Sequence, residues 1–168
     1  VTVSNGSDLR SGSGTVNVTG NGTIVLDSSV ANSRLWGGGW IFGGGQTVRG
    51  AGQIGINQTT ISNSGLVSAD VSGAVLSLDV SGGNGGVGAG NGFGTNGNAG
   101  LYNTGILQAT GGGILNFEGG LYENSATGVI RAQAGSVVNL NGDSRIVGGT
   151  LTSVGTGVIQ AFNSSQYL

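Results

Sequence analysis

The sequence predicts an all-β fold, a parallel β-helix (β-solenoid) in which coils of two or three short strands stack on one another. The main observation is a five-residue pattern of Gly, two aliphatic residues, one polar residue and Ala, which occurs four times. Its copies are residues 65–69, 105–109, 128–132 and 157–161. Repeats spaced by a few tens of residues are typical of solenoids, because each coil buries its apolar side only against its neighbours.

Side chains alternate across a strand, so the third and fifth positions of the pattern are predicted to face inward and the fourth to face water. Like residues then stack in rows along the solenoid. The predicted inner rows are Val67, Leu107, Ile130 and Ile159, and Ala69, Ala109, Ala132 and Ala161. The predicted water-facing row is Ser68, Gln108, Arg131 and Gln160.

A second strand pattern follows each of the first three copies and supports the same fold. It occupies residues 75–79, 114–118 and 137–141. The predicted inner rows are Leu76, Leu115 and Val138, and Leu78, Phe117 and Leu140. Two strand patterns that recur together are much less expected by chance than one. Asn63 and Asn103 stand just before the Gly of a copy, and Asn suits tight corners because it tolerates left-handed backbone.

The remaining segments fit the repeat less closely. Residues 1–30 contain two weaker alternating strands at 14–18 and 22–26, and no helical period is sustained anywhere. Residues 82–100 break the pattern, with ten Gly in the run GGNGGVGAGNGFGTNGNAG. We therefore predict a single β-solenoid domain over residues 1–168, with one Gly/Asn-rich loop inserted at 82–100.

Composition excludes several classes of function. Charged residues make up 7% of the chain and the formal net charge is −2, whereas nucleic-acid binding requires basic patches, so we predict no nucleic-acid partner. No apolar run approaches the length of a membrane span, so we predict no membrane insertion. The chain has no Cys and no His. We predict no cofactor, no metal site and no catalytic residues.

A carbohydrate-active β-helix enzyme, or a carbohydrate-binding module, remains the alternative. Enzymes of this kind need clustered carboxylates to bind calcium or to transfer protons. The seven acidic residues are scattered, but Asp79 and Glu118 are predicted to stack about one coil apart on the outer side of the second strand. Two solvated surface carboxylates are the commoner interpretation of such a pair.

The phrases TISNSGLVSADVSGAVLSL (60–78) and LYNTGILQATGGGILNF (101–117) resemble repeats of β-helical passengers of autotransporters and adhesins of the filamentous-haemagglutinin type. The resemblance implies a right-handed, secreted β-helix at the cell surface, with surface carbohydrate or host cell-surface proteins as partners. The resemblance assigns no functional residue in this sequence, because the repeats of these families have no binding or catalytic site at a fixed position. It favours an extracellular structural or adhesive role, as a fibre subunit or an adhesin segment.

The remaining expectation is association with copies of the same chain, head to tail and open-ended. Solenoid ends expose unpaired strands, which recruit further strands unless they are capped. Outward aliphatic positions add a second predicted contact surface. The candidate self-association residues are Val1, Thr2, Val3, Leu66, Ile106, Val129, Val158, Tyr167 and Leu168.

Overall fold

The computed structural model describes residues 1–28, 32–81, 99–162 and 168, and these form strands and turns without a helix. The strands are β1 (Thr2–Ser4), β2 (Asp8–Arg10), β3 (Thr15–Val18), β4 (Gly22–Asp27), β5 (Arg34–Trp36), β6 (Gly39–Phe42), β7 (Gln46–Gly55), β8 (Thr60–Asn63), β9 (Leu66–Ala69), β10 (Val75–Leu78), β11 (Leu101–Asn103), β12 (Ile106–Ala109), β13 (Ile114–Glu118), β14 (Leu121–Asn124), β15 (Val129–Ala132), β16 (Val137–Asn141), β17 (Arg145–Val147), β18 (Thr150–Ser153) and β19 (Val158–Ala161). The predicted all-β class is confirmed.

The strands stack in parallel into three faces, so the fold is a β-solenoid as predicted. Face A contains β1, β4, the first half of β7, β9, β12, β15 and β18. Face B contains β2, β5, the second half of β7, β10, β13, β16 and β19. Face C contains β3, β6, β8, β11, β14 and β17. Each coil runs from A through B to C, which gives six coils, and β18 and β19 begin a seventh.

Strand β7 connects faces A and B without a loop, and glycine makes this possible. Gly50 has a φ of +114°, in the left-handed region that favours glycine. A Cβ atom at Gly50 would overlap the carbonyl oxygen of Leu26 in the coil before it. The chain therefore bends between the two faces at a place where only glycine lets the neighbouring backbones approach.

The inner rows of coils 4 to 6 are as predicted. On face A, Val67 stacks on Leu107 and Leu107 on Ile130, all at most 1% exposed. The adjacent row of Ala69, Ala109 and Ala132 is equally buried. On face B the predicted inner rows are also in register, as Leu76–Leu115–Val138 and Leu78–Phe117–Leu140. These rows form the middle of the apolar core.

The fourth copy of the five-residue pattern was assigned to the wrong face. Ile159 pairs with Val138 on face B, and the face A row that ends in Ile130 continues instead to Leu151. Ala161 pairs with Leu140 and is exposed, so it does not extend the alanine row. Residues 157–161 are therefore the second strand of their coil, and β18 is the first.

Two of the predicted water-facing side chains are buried. Ser68 is 3% exposed and Gln108 is 8% exposed, although both project from the outer side of face A. Gln108 Nε2 donates to Ser68 Oγ at 3.1 Å, and Arg131 Nε donates to Gln108 Oε1 at 2.8 Å. Neighbouring side chains in the row thus cover one another. Gln160 is exposed, as predicted, but it lies on face B.

A ladder of buried asparagines forms the corner between faces C and A. Asn63, Asn103 and Asn124 are at most 1% exposed. Asn63 Nδ2 donates to Asn103 Oδ1, and Asn103 Nδ2 donates to Asn124 Oδ1, both at 2.8 Å. Asn103 also accepts from the Gly105 N–H at 3.2 Å and donates to the Gly105 carbonyl at 3.1 Å. The ladder joins three successive coils through side-chain hydrogen bonds, and it adds further bonds to the Gly105 N–H and carbonyl, which also bond to the Asn63 carbonyl and the Val129 N–H.

Most of the predicted loop, residues 82–98, lies outside the described residues. Ala99 and Gly100, which were assigned to the loop, belong instead to the body of coil 4. Ala99 is 1% exposed, and the Gly100 N–H donates to the Leu121 carbonyl at 2.9 Å. The two ends of the segment attach close together, because Ser81 N–H bonds to Thr59 O and Ile61 N–H bonds to Gly100 O.

Deletion of residues 83–98 is expected to leave the solenoid folded. Leu66 and Ile106 are neighbours in register on adjacent coils of face A. After the deletion, the chain from Leu66 to Ile106 would have the same length as the chain from Gly22 to its own partner in the next coil, Gln46. Loop length has little effect on stability, so the free energy of unfolding should change by less than about 1 kcal/mol. Circular dichroism with urea denaturation tests this, and loss of the β-type spectrum would place the segment in the core.

Candidate functional site

The two terminal coils carry unpaired strand edges. Among the described residues, β1, β2 and β3 each pair on one side only, and the same holds for β17, β18 and β19. The core is incompletely covered in the first coil, where Val16, in register with the buried Trp40, is 38% exposed. Leu151 and Ile159, the last members of two inner rows, are only half-buried. In the part of the chain that the structure describes, the first and last coils thus contain strands paired on one side only and partly exposed apolar side chains.

The candidate residues near the two ends differ in exposure. Val1 is 75% exposed and Thr2 is also exposed. Val3, in contrast, is 4% exposed because it stacks on Leu26 in the inner row of face A. The Val3 side chain is thus part of its own core and cannot contact a partner. Leu168 is 84% exposed, and Tyr167 lies outside the described residues.

The outward aliphatic candidates do not form one exposed row. Leu66, Ile106 and Val129 are aligned on the outer side of face A, but each is half-buried. Val158 lies on face B beside Val137 and is 42% exposed. Leu66, Ile106 and Val129 thus share the outer side of face A, whereas Val158 does not join their row because the fourth pattern copy lies on face B.

A continuous polar strip runs along the outer side of face B, beside the aliphatic row that contains Val137 and Val158. Its central row runs in register through Gln53, Ser77, Asn116, Asn139 and Gln160. The amides bond to one another along the row: Gln160 Nε2 donates to Asn139 Oδ1 at 2.8 Å, and Asn139 Nδ2 donates to Asn116 Oδ1 at 2.9 Å. Each bond joins one coil to the next, so the strip fastens the coils from outside.

The two carboxylates singled out in the sequence lie in this strip. Glu118 Oε1 accepts hydrogen bonds from Ser77 Oγ at 3.3 Å, Asn116 Nδ2 at 3.0 Å and Asn141 Nδ2 at 3.3 Å, which links three coils. Asp79 Oδ2 accepts from Gln53 Nε2 at 3.0 Å. Partial burial and the neighbouring charge of Glu118 raise the pKa of Asp79, and the Gln53 hydrogen bond acts in the opposite direction.

The surroundings of Asp79 and Glu118 give little support for a catalytic or metal-binding role of these two carboxylates. Adjacent parallel strands are about 4.8 Å apart, slightly less than the separation of about 5–5.5 Å between the two carboxyl groups of retaining glycosidases. Within the described ranges, however, no three side chains of the types His, Cys, Asp and Glu are grouped so that they could hold a metal ion. The hydrogen bonds already give Glu118 a structural role as a link between coils.

The first two coils end the strip with charged groups. Arg34 binds Asp8 through two hydrogen bonds, Nε to Oδ1 at 2.7 Å and Nη2 to Oδ2 at 3.0 Å. The Arg34 guanidinium holds the pKa of Asp8 below its usual range. The guanidinium of Arg10 lies 4.1 Å from the centre of the Trp36 ring. Each cation is thus engaged by a partner in the neighbouring coil.

Sequence and structure comparisons identify no relative. The sequence matches no model of a known protein family, and neither the curated proteins nor the solved structures include a significant match. No helix long and apolar enough to cross a membrane occurs in the part of the chain that the structure describes.

Proposed function

We propose that this chain is a non-enzymatic extracellular β-solenoid with a structural and adhesive role, and that it associates head to tail with copies of itself. The observation that carries the proposal is the pair of terminal coils with unpaired edges and partly exposed core, as seen in the described residues. A coil of a second copy that stacked on either end would pair the edge strands and cover the apolar surface.

The backbone directions at the two ends are suited to this association. The amino group of Val1 donates to the Thr23 carbonyl and the Val1 carbonyl accepts from the Val25 N–H, both in β4, so alternation points the N–H and carbonyl of Thr2 toward the free edge. At the other end, Thr150 and Val154 donate to the coil before them, which leaves the Ser153 N–H toward the free edge. The first coil of one copy can therefore continue face A of another in parallel.

Head-to-tail stacking uses two different surfaces and does not close on itself, so it produces an open fibre. The extracellular location and the adhesive role are supported by the resemblance of residues 60–78 and 101–117 to adhesin repeats. The absence of enzymatic activity is supported by the engagement of Glu118 with three donors. The flat polar strip of face B would remain accessible along such a fibre.

The test is multi-angle light scattering over a range of concentrations, with two edge variants. Thr2→Pro and Ser153→Pro each remove an N–H that points to a free edge, whereas Thr2→Ala and Ser153→Ala keep it. We expect the unmodified chain and the Ala controls to grow in mass with concentration and the Pro variants to remain monomeric. An unmodified chain that stays monomeric at high concentration contradicts the proposal.

A further inference from the structure

An open groove of about 520 Å³ lies on the outer side of the solenoid, where face C turns into face A. It spans coils 4 to 6 and lies apart from the polar strip of face B, and Val147 at its far end belongs to β17, the last strand of face C. Its volume is within the range of about 300–1,000 Å³ that is usual for small-molecule sites. The residues that line it and enter the following argument are Tyr102, Thr104, Glu123, Ser125, Thr127 and Val147.

The groove lies where one corner between faces C and A is longer than the two corners just before it. Ile106 follows Asn103 by three positions, whereas Val129 follows Asn124 by five, at the next equivalent corner. The extra residues step outward as the exposed turn at 126–127 and form one wall of the groove. The longer corner thus bounds one side of a concave site on the outer side of the solenoid.

The wall is fixed in place by hydrogen bonds. Thr127 Oγ1 donates to the Thr104 carbonyl at 3.2 Å and lies 3.2 Å from Ser125 Oγ. The Ser125 N–H donates to the Asn103 carbonyl at 2.9 Å, and the Gly128 N–H donates to the Ser125 carbonyl at 2.8 Å. A site held by this many bonds needs little reorganisation when a ligand enters.

The floor of the groove brings together an aromatic ring, a carboxylate and an aliphatic side chain. Tyr102 pairs in register with Glu123, and Glu123 pairs with Val147, so the three side chains form one outward row on face C. Tyr102 and Glu123 are half-buried, and Val147 is 41% exposed. The ring and the carboxylate are therefore next to each other and accessible.

We propose that this groove binds a neutral saccharide, an inference that rests on the proposed adhesive role. The C–H face of a sugar ring is weakly positive and packs against the negative face of an aromatic ring such as that of Tyr102. A carboxylate accepts hydrogen bonds from sugar hydroxyls, and Ser and Thr hydroxyl groups can both donate to and accept from them. Among the described residues that line the groove, Glu123 is the one that carries a charge, and its negative sign disfavours anionic sugars.

The test is titration of the full chain, with its tyrosine rings labelled with ¹³C, with four probes observed by NMR. The neutral probes are maltotriose and N,N′-diacetylchitobiose, and the charged probes are digalacturonic acid and trilysine. We expect a saturable shift of the Tyr102 ring signal with at least one neutral probe and no saturable shift with either charged probe. Saturation with a charged probe alone would overturn the proposal, and so would the lack of a shift with both neutral probes at millimolar concentrations.

Substitutions test whether the neutral probe binds in the groove or elsewhere on face C. Tyr102→Ala should weaken binding of the neutral probe, measured by calorimetry, at least about tenfold, whereas Tyr102→Phe keeps the ring and should stay within about threefold. Glu123→Gln should weaken binding by several fold. Ile41→Ala, in the same outward row two coils earlier, is the control and should bind normally.

Unchanged affinity in Tyr102→Ala would contradict the proposal. Light scattering on the same variants distinguishes this failure from failure of the proposed self-association. If the chain associates but binds no neutral probe, the groove is not a saccharide site. If it binds a neutral probe through Tyr102 but stays monomeric, the head-to-tail fibre is wrong and the saccharide site stands.

Discussion

Replacement of Asn103 by Ala is expected to lower the free energy of unfolding by about 2–4 kcal/mol, because it interrupts the asparagine ladder at its middle member. The substitution removes the hydrogen bonds from Asn103 to Asn63, Asn124 and the backbone of Gly105. These partners lie at a corner where Asn63 and Asn124 are at most 1% exposed, so water cannot readily replace the lost bonds. Urea denaturation followed by circular dichroism measures the loss.

Asn139→Ala is the matched control for Asn103→Ala. Asn139 also bonds to neighbouring coils through its amide, as donor to Asn116 and acceptor from Gln160. It is half-buried on the outside of face B, where water can reach the amides that remain. Its substitution should cost less than about 1 kcal/mol. If the two variants lost the same free energy of unfolding, burial of the asparagine ladder would add nothing to the stability of the fold.

Replacement of Ile130 by Ala is expected to lower the free energy of unfolding by about 2–5 kcal/mol, the usual range for truncation of a buried Ile. Ile130 is 0% exposed and stacks between Leu107 and Leu151. Because strands in register hold its neighbours on both sides, the coils cannot close around the cavity without breaking their pairing. Chemical denaturation with an unchanged m-value would attribute the loss to the folded state.

Val129→Thr is the control for Ile130→Ala. Val129 is the adjacent residue in β15, but it projects from the outer side of face A and is half-buried. Thr has nearly the same shape, and its hydroxyl can reach water, so the change should stay within about 0.5 kcal/mol. A loss as large as that of Ile130→Ala would mean that the two faces of β15 were assigned the wrong way round.

Much of the core was predictable from alternation alone. The strands β9, β12 and β15, and likewise β10, β13 and β16, show the same sequence of inward and outward residues, and the structure stacks them accordingly. Residues 157–161 were misplaced because Gly, two aliphatics, a polar residue and Ala also suit a face B strand. Spacing was the available signal, because Val158 follows Val137 at nearly the same interval at which Val137 follows Ile114.

The asparagine ladder could also have been found in the sequence. Asn63, Asn103 and Asn124 each follow an inward residue, namely Ile61, Leu101 or Tyr122, by two positions, so alternation places them inward. The groove on face C could not have been found in this way. It depends on how far the longer corner at 125–127 projects beside Tyr102, and that distance is set by contacts between coils and not by any local pattern.

The burial of Ser68 and Gln108 was equally inaccessible to the sequence. Alternation correctly places these side chains on the outer side of face A, but their exposure depends on contacts with the coils on either side. Arg131 reaches along the row to Gln108, and Gln108 reaches to Ser68. Polar residues that bond to one another across coils exclude water from positions that a single strand pattern assigns to solvent.

The parallel register of the described strands tolerates differences in coil length, and this has an evolutionary consequence. On face B, the stretch of chain from Asp8 to its partner Arg34 is clearly longer than the stretch from Arg34 to its partner Gln53, yet both pairs stack in parallel. Coils 5 and 6 present similar inner rows, with Leu107 and Leu115 in one and Ile130 and Val138 in the other. An in-frame duplication of the codons for one coil would therefore insert a rung that fits both neighbours. The length of the rod can change by unequal recombination in steps of about 4.8 Å, without redesign of any interface.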